Sequence, residues 1–305
     1  MPARLLYTGQ VVVDLVMAID HLPASGGDVL ARSASFETGG GFNVMAAAAR
    51  NGLHTLYLGR HGEGRFGDLA RQAMGTEGIE IATAPSPGQD TGLAVALVEA
   101  SAERSFISHV GAEGGLSAAD LAGVTVTGED IVFVSGYSLV HANKVSALLA
   151  WLRGLPRGTA VAFDPGPLID CAAGAEVQAV LPLITLWTSN CEEALQFTGC
   201  ENIDQALQSL ASSLQPNALI VVRDGPSGCW LQHAGKTRHI PGIAITAVDT
   251  NGAGDAHAGV LLANLANGCS ADQAALRANA AAAIAVTRWG PATAPGRDEV
   301  DALLG

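Results

Sequence analysis

Strand-like and helix-like segments alternate along this chain at roughly 20- to 30-residue spacing, and that rhythm limits the fold more than any other feature. Parallel neighbours cannot be joined by a tight hairpin. They need a crossover, usually a helix, and the helices then cover both faces of the sheet. Short apolar strand candidates lie at 5–9, 55–59, 131–134, 160–163, 186–189 and 218–222, with two more at 229–232 and 237–240. Helical runs fall at 43–51, 66–75, 144–152, 192–198, 203–214, 255–266, 271–287 and 297–304, and an irregular helix ends near residue 183. The sequence predicts an α/β fold, a three-layer α/β/α core around a mostly parallel sheet.

Three early segments break the rhythm. Residues 11–19, 29–37 and 91–110 alternate in a strand-like way without intervening helices, and 91–99 with 104–109 reads as a hairpin. They are expected to form a small β-sheet lid inserted in a single domain spanning 1–305. Unpaired lid edges seek partners, so a homodimer through the lid is expected. Arg104 on the hairpin is expected in solvent, with closure over a ligand as the alternative.

Composition narrows the function. Hydrophobic residues make up 49% of the 305 residues and charged ones 15%, the profile of a packed globular chain. A net charge of −13 without any Lys/Arg run argues against a nucleic-acid partner. An anionic ligand would therefore need backbone amides, a metal ion and a few arginines. Five cysteines (Cys171, Cys191, Cys200, Cys229, Cys269) without a CxxC pair suggest neither a metal cluster nor a disulfide framework. No window approaches the ~18 apolar residues of a membrane span, and no signal peptide is evident. A cytoplasmic location without a membrane partner is the default expectation.

The chemistry concentrates in Asp249-Thr250-Asn251-Gly252-Ala253-Gly254-Asp255, a glycine loop with a carboxylate at each end, followed by an apolar helical run. Such a loop can turn several N–H groups toward one point, and the helix adds the positive end of its dipole. That is an anion site. Asp255 is placed to take a proton from a nucleophile attacking the held anion, which points to phosphoryl transfer. A tight turn capped by Asp255 is the plain structural alternative. Upstream, Gly39-Gly40-Gly41-Phe42-Asn43 lets the chain pass close to a polyol, with Asn43 able to donate and accept. By itself that segment also reads as an ordinary glycine loop.

With both motifs in this order, and with Gly52 and Gly62 following the first, the whole chain resembles the ribokinase-like, PfkB-type carbohydrate and nucleoside kinases. The resemblance implies an ATP-dependent kinase acting on a hydroxyl, primary in the expected case, of a small sugar. Asp255 would be the base, with Gly252, Ala253 and Gly254 forming the anion hole. Asp14, Gly39, Gly40, Gly41 and Asn43 would hold the sugar. Asn190 would approach the nucleotide phosphates and Glu193 would help hold Mg²⁺, largely through water. Arg223, Gly225 and Gly228 would line the nucleotide groove, and Asn279 would meet the adenine. A monovalent cation such as K⁺ is implied at Asp249, Asn251, Ala285, Arg288 and Gly290. There the chain departs from the family, with Ala294 where a hydroxyl is common and Thr293 beside it.

Other departures are Met45 and the bulky Phe42, expected to narrow or reshape the sugar pocket, and Glu113, whose role stays open. His257 is expected to be packed, and Asp164 could reach phosphate, metal or substrate at its strand end. A nucleoside kinase, with Phe42 or Tyr137 as a platform for the base, is the alternative within the class. A non-catalytic sugar or nucleotide sensor is the alternative outside it.

Overall fold

The structure, a computed structural model, describes residues 2–101, 103–167, 169 and 174–305. The strands in chain order are β1 (Arg4–Tyr7), β2 (Val11–Ala18), β3 (Ser33–Gly40), β4 (His54–Tyr57), β5 (Glu80–Ile81), β6 (Leu93–Val98) and β7 (Arg104–His109). Then follow β8 (Ile131–Ser135), β9 (Ala160–Asp164), β10 (Leu186–Asn190), β11 (Leu219–Arg223), β12 (Gly228–His233) and β13 (Lys236–Pro241). The helices are α1 (Gly41–Arg50), α2 (Arg65–Thr76), α3 (Ala118–Ala122), α4 (Tyr137–Val140), α5 (Ala142–Arg153) and α6 (Gly174–Val180). The remainder are α7 (Cys191–Thr198), α8 (Ile203–Ser213), α9 (Ala253–Ala266), α10 (Ala271–Ala285) and α11 (Arg297–Leu304).

Nine strands form the central sheet in the order β13-β12-β11-β10-β9-β8-β1-β4-β5. Pairings from β11 through to β5 are parallel, and the β11–β12–β13 edge is antiparallel. Alternation along each strand feeds two cores. Leu5, Phe133, Ala162, Leu186 and Val221 face α1, α2, α9 and α10, whereas Leu6, Val132, Phe163, Trp187 and Ile220 face α3, α5, α6, α7 and α8. Each fully buried Leu or Val in these layers contributes about 1.5–3 kcal/mol. Alanine dominates α10 because the helices pack closely, and a Cβ on Gly259 of α9 would stand 2.4 Å from the Val44 carbonyl oxygen of α1.

The lid sheet has the order β3-β2-β6-β7, with β2 parallel to β6 and the outer pairings antiparallel. Phe36, Phe106 and Ile107 are exposed on it. The expected strand at 29–37 sits later, at β3, and runs through Gly39 and Gly40, which pair with Val12 and Val11. Glycine gives no strand signal, yet it is needed there, since a Cβ on Gly39 would meet Asp14 Oδ2 at 2.1 Å. The short β5, α3 and α4 have no counterpart among the sequence expectations. The irregular helix expected before residue 183 corresponds to α6. The four described cysteines are free, and Cys171 lies outside the described residues. Among the described residues no helix is long and apolar enough to cross a membrane.

The chain leaves β1 toward β4 and β5 on one side and later builds β8 to β11 on the other. That reversal opens a crevice at the carboxyl ends of the strands, where open α/β sheets bind ligands.

Candidate active site

A cavity of about 790 Å³ lies in this crevice, roofed by the lid. Its lid end is lined by Asp14, Gly40, Asn43, Phe106, His109, Glu113 and Tyr137, and its loop end by Asp164, Asn190, Glu193, Arg223, Gly252, Gly254 and Asp255. A second cavity of about 400 Å³ near α6, α7 and α8 has no titratable group in its lining.

At the loop end, Gly252 holds φ +73°, and a Cβ there would stand 1.8 Å from the Pro291 carbonyl oxygen. Only glycine fits this left-handed N-cap of α9. The Ala253 amide turns back to Thr250 O at 3.3 Å. Among the described residues the amides of Gly254 and Asp255 have no hydrogen-bond partner. First-turn amides without partners, at the positive end of a long helix, can receive an anion.

Asp255 stands beside them. Burial pushes its carboxyl up, the Asn43 hydrogen bond lowers it, nearby Asp164 raises it, and the balance is a pKa of about 6. Asn43 Nδ2 donates to Asp255 Oδ2 at 3.0 Å, joining the two glycine motifs across the chain. The buried Asn43 Oδ1 has no partner, so it is free to accept from a ligand hydroxyl. Asp14 is likewise raised to about 6, first by burial and then by Glu37, which lies opposite it in β3. Gly41 makes room for the Tyr7 ring, 2.0 Å from where a Cβ would be.

Arg223 ends β11 and packs under Gly254, about where a Cβ would lie 3.3 Å from its guanidinium. Its Nη1 donates to Thr188 Oγ1 at 2.7 Å and to Asp164 Oδ2 at 3.3 Å, and Nη2 lies 3.7 Å from Glu193 Oε2. A cation is thus fixed below these amides, with two carboxylates beside it. Glu193 and Asn190 form a reciprocal capping box on α7, with Asn190 N donating to Glu193 Oε2 at 2.9 Å and Glu193 N to Asn190 Oδ1 at 2.7 Å. Burial, then Asp164, raises the Glu193 carboxyl above its ordinary value.

Several expected residues stand elsewhere. Gly225 and Gly228 are absent from the cavity lining and serve the turn into β12, where Gly228 has φ +104°. Asn279 is buried. Its Nδ2 donates to the Ile240 and Pro241 carbonyls and its Oδ1 pairs with His257 Nε2, so no free amide proton points to a nucleotide. His257 is packed as expected. Phe42 and Met45 belong to the α1-side core and do not narrow the pocket. Gly39 accommodates the Asp14 carboxylate and does not itself line the cavity. Arg104 is not a solvent residue, for its Nη2 pairs with Asp249 Oδ1 at 2.5 Å. Gly290 N donates to Asp249 Oδ2 at 3.0 Å, and Asn251 N to Asp249 Oδ1 at 2.9 Å.

Sequence reasoning missed Lys144. It is fully buried behind the lid end, donates to Gly9 O at 3.1 Å, and burial pulls its pKa down to about 7 against the raising influence of Glu113. Glu113 accepts from the Gly92 and Gly111 amides, both at 2.8 Å, and so anchors the base of the lid hairpin. Nothing in the local sequence marks a lysine at the start of a helix as buried.

Magnesium usually needs only one or two carboxylates beside phosphate oxygens and water. Among the described residues no cluster of three or more potential ligands stands ready for a metal. Glu193 and Asp164, both facing the cavity, fit the smaller requirement.

Comparison with known proteins agrees with this fold. Residues 3–296 match the family described as pfkB family carbohydrate kinase. An uncharacterized sugar kinase of Escherichia coli (strain K12), YegV, is 32% identical over 302 residues, 97% of this chain and 92% of that protein. A ribokinase of Haemophilus influenzae is 27% identical, covering 95% of this chain and 94% of its own. Among solved structures, Arabidopsis thaliana ribokinase complexed with ribose and ATP superposes with a TM-score of 0.79 at 25% identity, covering 100% of this chain and 99% of that one. The chain belongs to the pfkB family of carbohydrate kinases and is a phosphotransferase acting on a sugar hydroxyl.

Proposed function

We propose that this protein transfers the γ-phosphoryl group of ATP to a primary hydroxyl of a small, neutral sugar, with Asp255 as general base. The observation that carries the reading is the placement of a carboxylate with a pKa near 6 beside the unpartnered amides of its own loop and hydrogen-bonded to Asn43. One residue thereby touches both halves of the reaction. A sugar at the lid end is held by Asp14, which accepts from hydroxyls, and by Asn43, whose free Oδ1 accepts another. Asp255 takes the proton of the attacking hydroxyl. The Gly254 and Asp255 amides and the Arg223 guanidinium stabilise the charge on the transferred group. Glu193 and Asp164 would hold Mg²⁺, which would supply neutralisation of the triphosphate charge.

Neutrality of the substrate follows from charge. Asp14 and Glu113 line the lid end, and no Arg or Lys among the described residues lines it. A carboxylate or phosphate on the sugar would meet the Asp14 carboxylate, which has no cationic partner among the described residues, in a partly desolvated site. Tyr137 and Phe106 also line the cavity, which favours a second reading in which a nucleoside base stacks on one of these rings.

ADP release with ribose, fructose, 2-keto-3-deoxygluconate, adenosine, inosine and pseudouridine tests both. Turnover with a neutral sugar and none with the sugar acid is expected. Turnover confined to nucleosides selects the second reading, and binding of sugar with no ADP release from any acceptor removes the kinase assignment.

A further inference from the structure

Asp249 is the meeting point of three segments. Its carboxylate takes the amide of Asn251 in the glycine loop, the amide of Gly290 after α10, and the guanidinium of Arg104 from β7 in the lid. The Asp249 side chain is only 4% exposed. Burial pushes its pKa up, the two amides and Arg104 more than offset that, and the carboxyl ends below its ordinary value. The counter-charge of this carboxylate is a side chain of the same chain.

The resemblance implies a monovalent cation at this place, and the residues present do not fit one. Asp249 Oδ1 is engaged by Arg104, and a second cation against the same carboxylate would meet like charge at close range. The Ala285 carbonyl accepts from Thr293 Oγ1 at 3.1 Å and from the Arg288 amide at 3.1 Å, so it does not face an open site. The side chain of Arg288 is tied to Thr293 O and to Glu299. Ala294 is buried and has no hydroxyl to offer.

We infer that Arg104 replaces the monovalent cation in this enzyme. Its guanidinium neutralises Asp249, locks the glycine loop to the Gly290 turn and makes phosphoryl transfer independent of K⁺. The inference rests on the proposed kinase activity of the same site. Arg104 pairs with Val98 near the turn of the β6–β7 hairpin, so the lid in this position carries the charge to the loop. Lid position and loop geometry are thereby coupled, with Arg104 as a positioning residue outside the cavity lining.

The test compares the full-length protein with Arg104→Ala and Arg104→Lys in potassium chloride and in tetramethylammonium chloride at equal ionic strength. Wild-type ADP release is expected to change by less than about twofold between the salts, well below the effect of losing one charge-assisted hydrogen bond. Arg104→Ala is expected to lose about tenfold in kcat with sugar KM nearly unchanged, to recover with added guanidinium ion, and Arg104→Lys to retain most of the rate. A loss confined to sugar KM, or no recovery with guanidinium, would place Arg104 over the sugar and overturn the inference. Activation of the wild type by K⁺ of about tenfold would overturn it as well. Melting temperature in the two salts gives a readout free of catalysis, and K⁺-specific stabilisation of the wild type also counts against the inference. Should no acceptor support ADP release, the kinase reading fails, while the melting comparison still decides the cation question.

Discussion

Asp249 and Asp255 bound the same glycine loop, and the fold drives them in opposite directions. Asp249 receives two backbone amides and a guanidinium, and its pKa falls below the ordinary carboxylate value despite burial. Asp255 is also buried, but it has one side-chain amide for a partner, and Asp164 and Glu193 lie near it; its pKa rises to about 6. Satisfied charge makes a fixed strut, while poorly satisfied charge makes a base with a proton affinity suited to catalysis. The same residue type performs two tasks because its neighbours differ, and each task predicts its own response to removal of the charge.

The largest expected effect is on turnover. Asp255→Asn removes the proton acceptor and keeps the shape, so kcat should fall by at least about 100-fold with little change in KM for sugar or ATP. Asp249→Asn leaves the base in place and loosens the loop, for an expected loss of about tenfold, the scale of one charge-assisted hydrogen bond. Steady-state ADP release measures both. Equal losses in the two variants would erase the distinction between strut and base.

Opposite signs in stability come next. Asp255 has a folded-state pKa above its unfolded 3.8, so its contribution is fully present below that value and is lost as pH rises through about 6. At neutral pH the charged group opposes folding, and Asp255→Asn should stabilise the protein by about 3 kcal/mol. Asp249 has a lowered pKa, so its contribution is present above 3.8 and is lost as pH falls through the folded value. Asp249→Asn should therefore destabilise at neutral pH, by about 1–3 kcal/mol. Urea unfolding of both variants near neutral pH reads the signs directly, and matching signs would break the comparison.

The loop was the legible part of this site because its chemistry lies in contiguous residues, and the βαβ rhythm was legible because each crossover helix carries its own period. Residues that converge from separate strand ends were harder. Asp164, Arg223 and Glu193 meet only through the order β9-β10-β11, which the sequence states nowhere. Phe42 and Met45 flank Asn43 on α1, yet at helical spacing they turn away from it into the core, which proximity in sequence conceals. Asn279 is held by the carbonyls of Ile240 and Pro241 at the end of β13, a contact between distant elements. Arg104 carries no local sign that its hairpin folds back onto Asp249.

The smallest effect separates the base from the raised carboxylate at the lid end. Asp14 and Asp255 both titrate near pH 6 in the free protein, for the shared reason of burial with little compensation. Both act ionised, Asp14 as an acceptor for sugar hydroxyls and Asp255 as the base, so kcat/KM should fall on the acid side with a slope approaching two protons. Asp14→Asn keeps one accepting oxygen and cannot titrate. Its kcat/KM should be lower at every pH, through KM, and its acid limb should flatten to one proton with a midpoint still near 6, set by Asp255 alone. A limb that keeps its steeper slope in Asp14→Asn would mean that another group, not Asp14, supplies the second proton. Removal of the limb altogether would mean that Asp255 does not titrate near 6, and the contrast between the two ends of the loop would lose its physical basis.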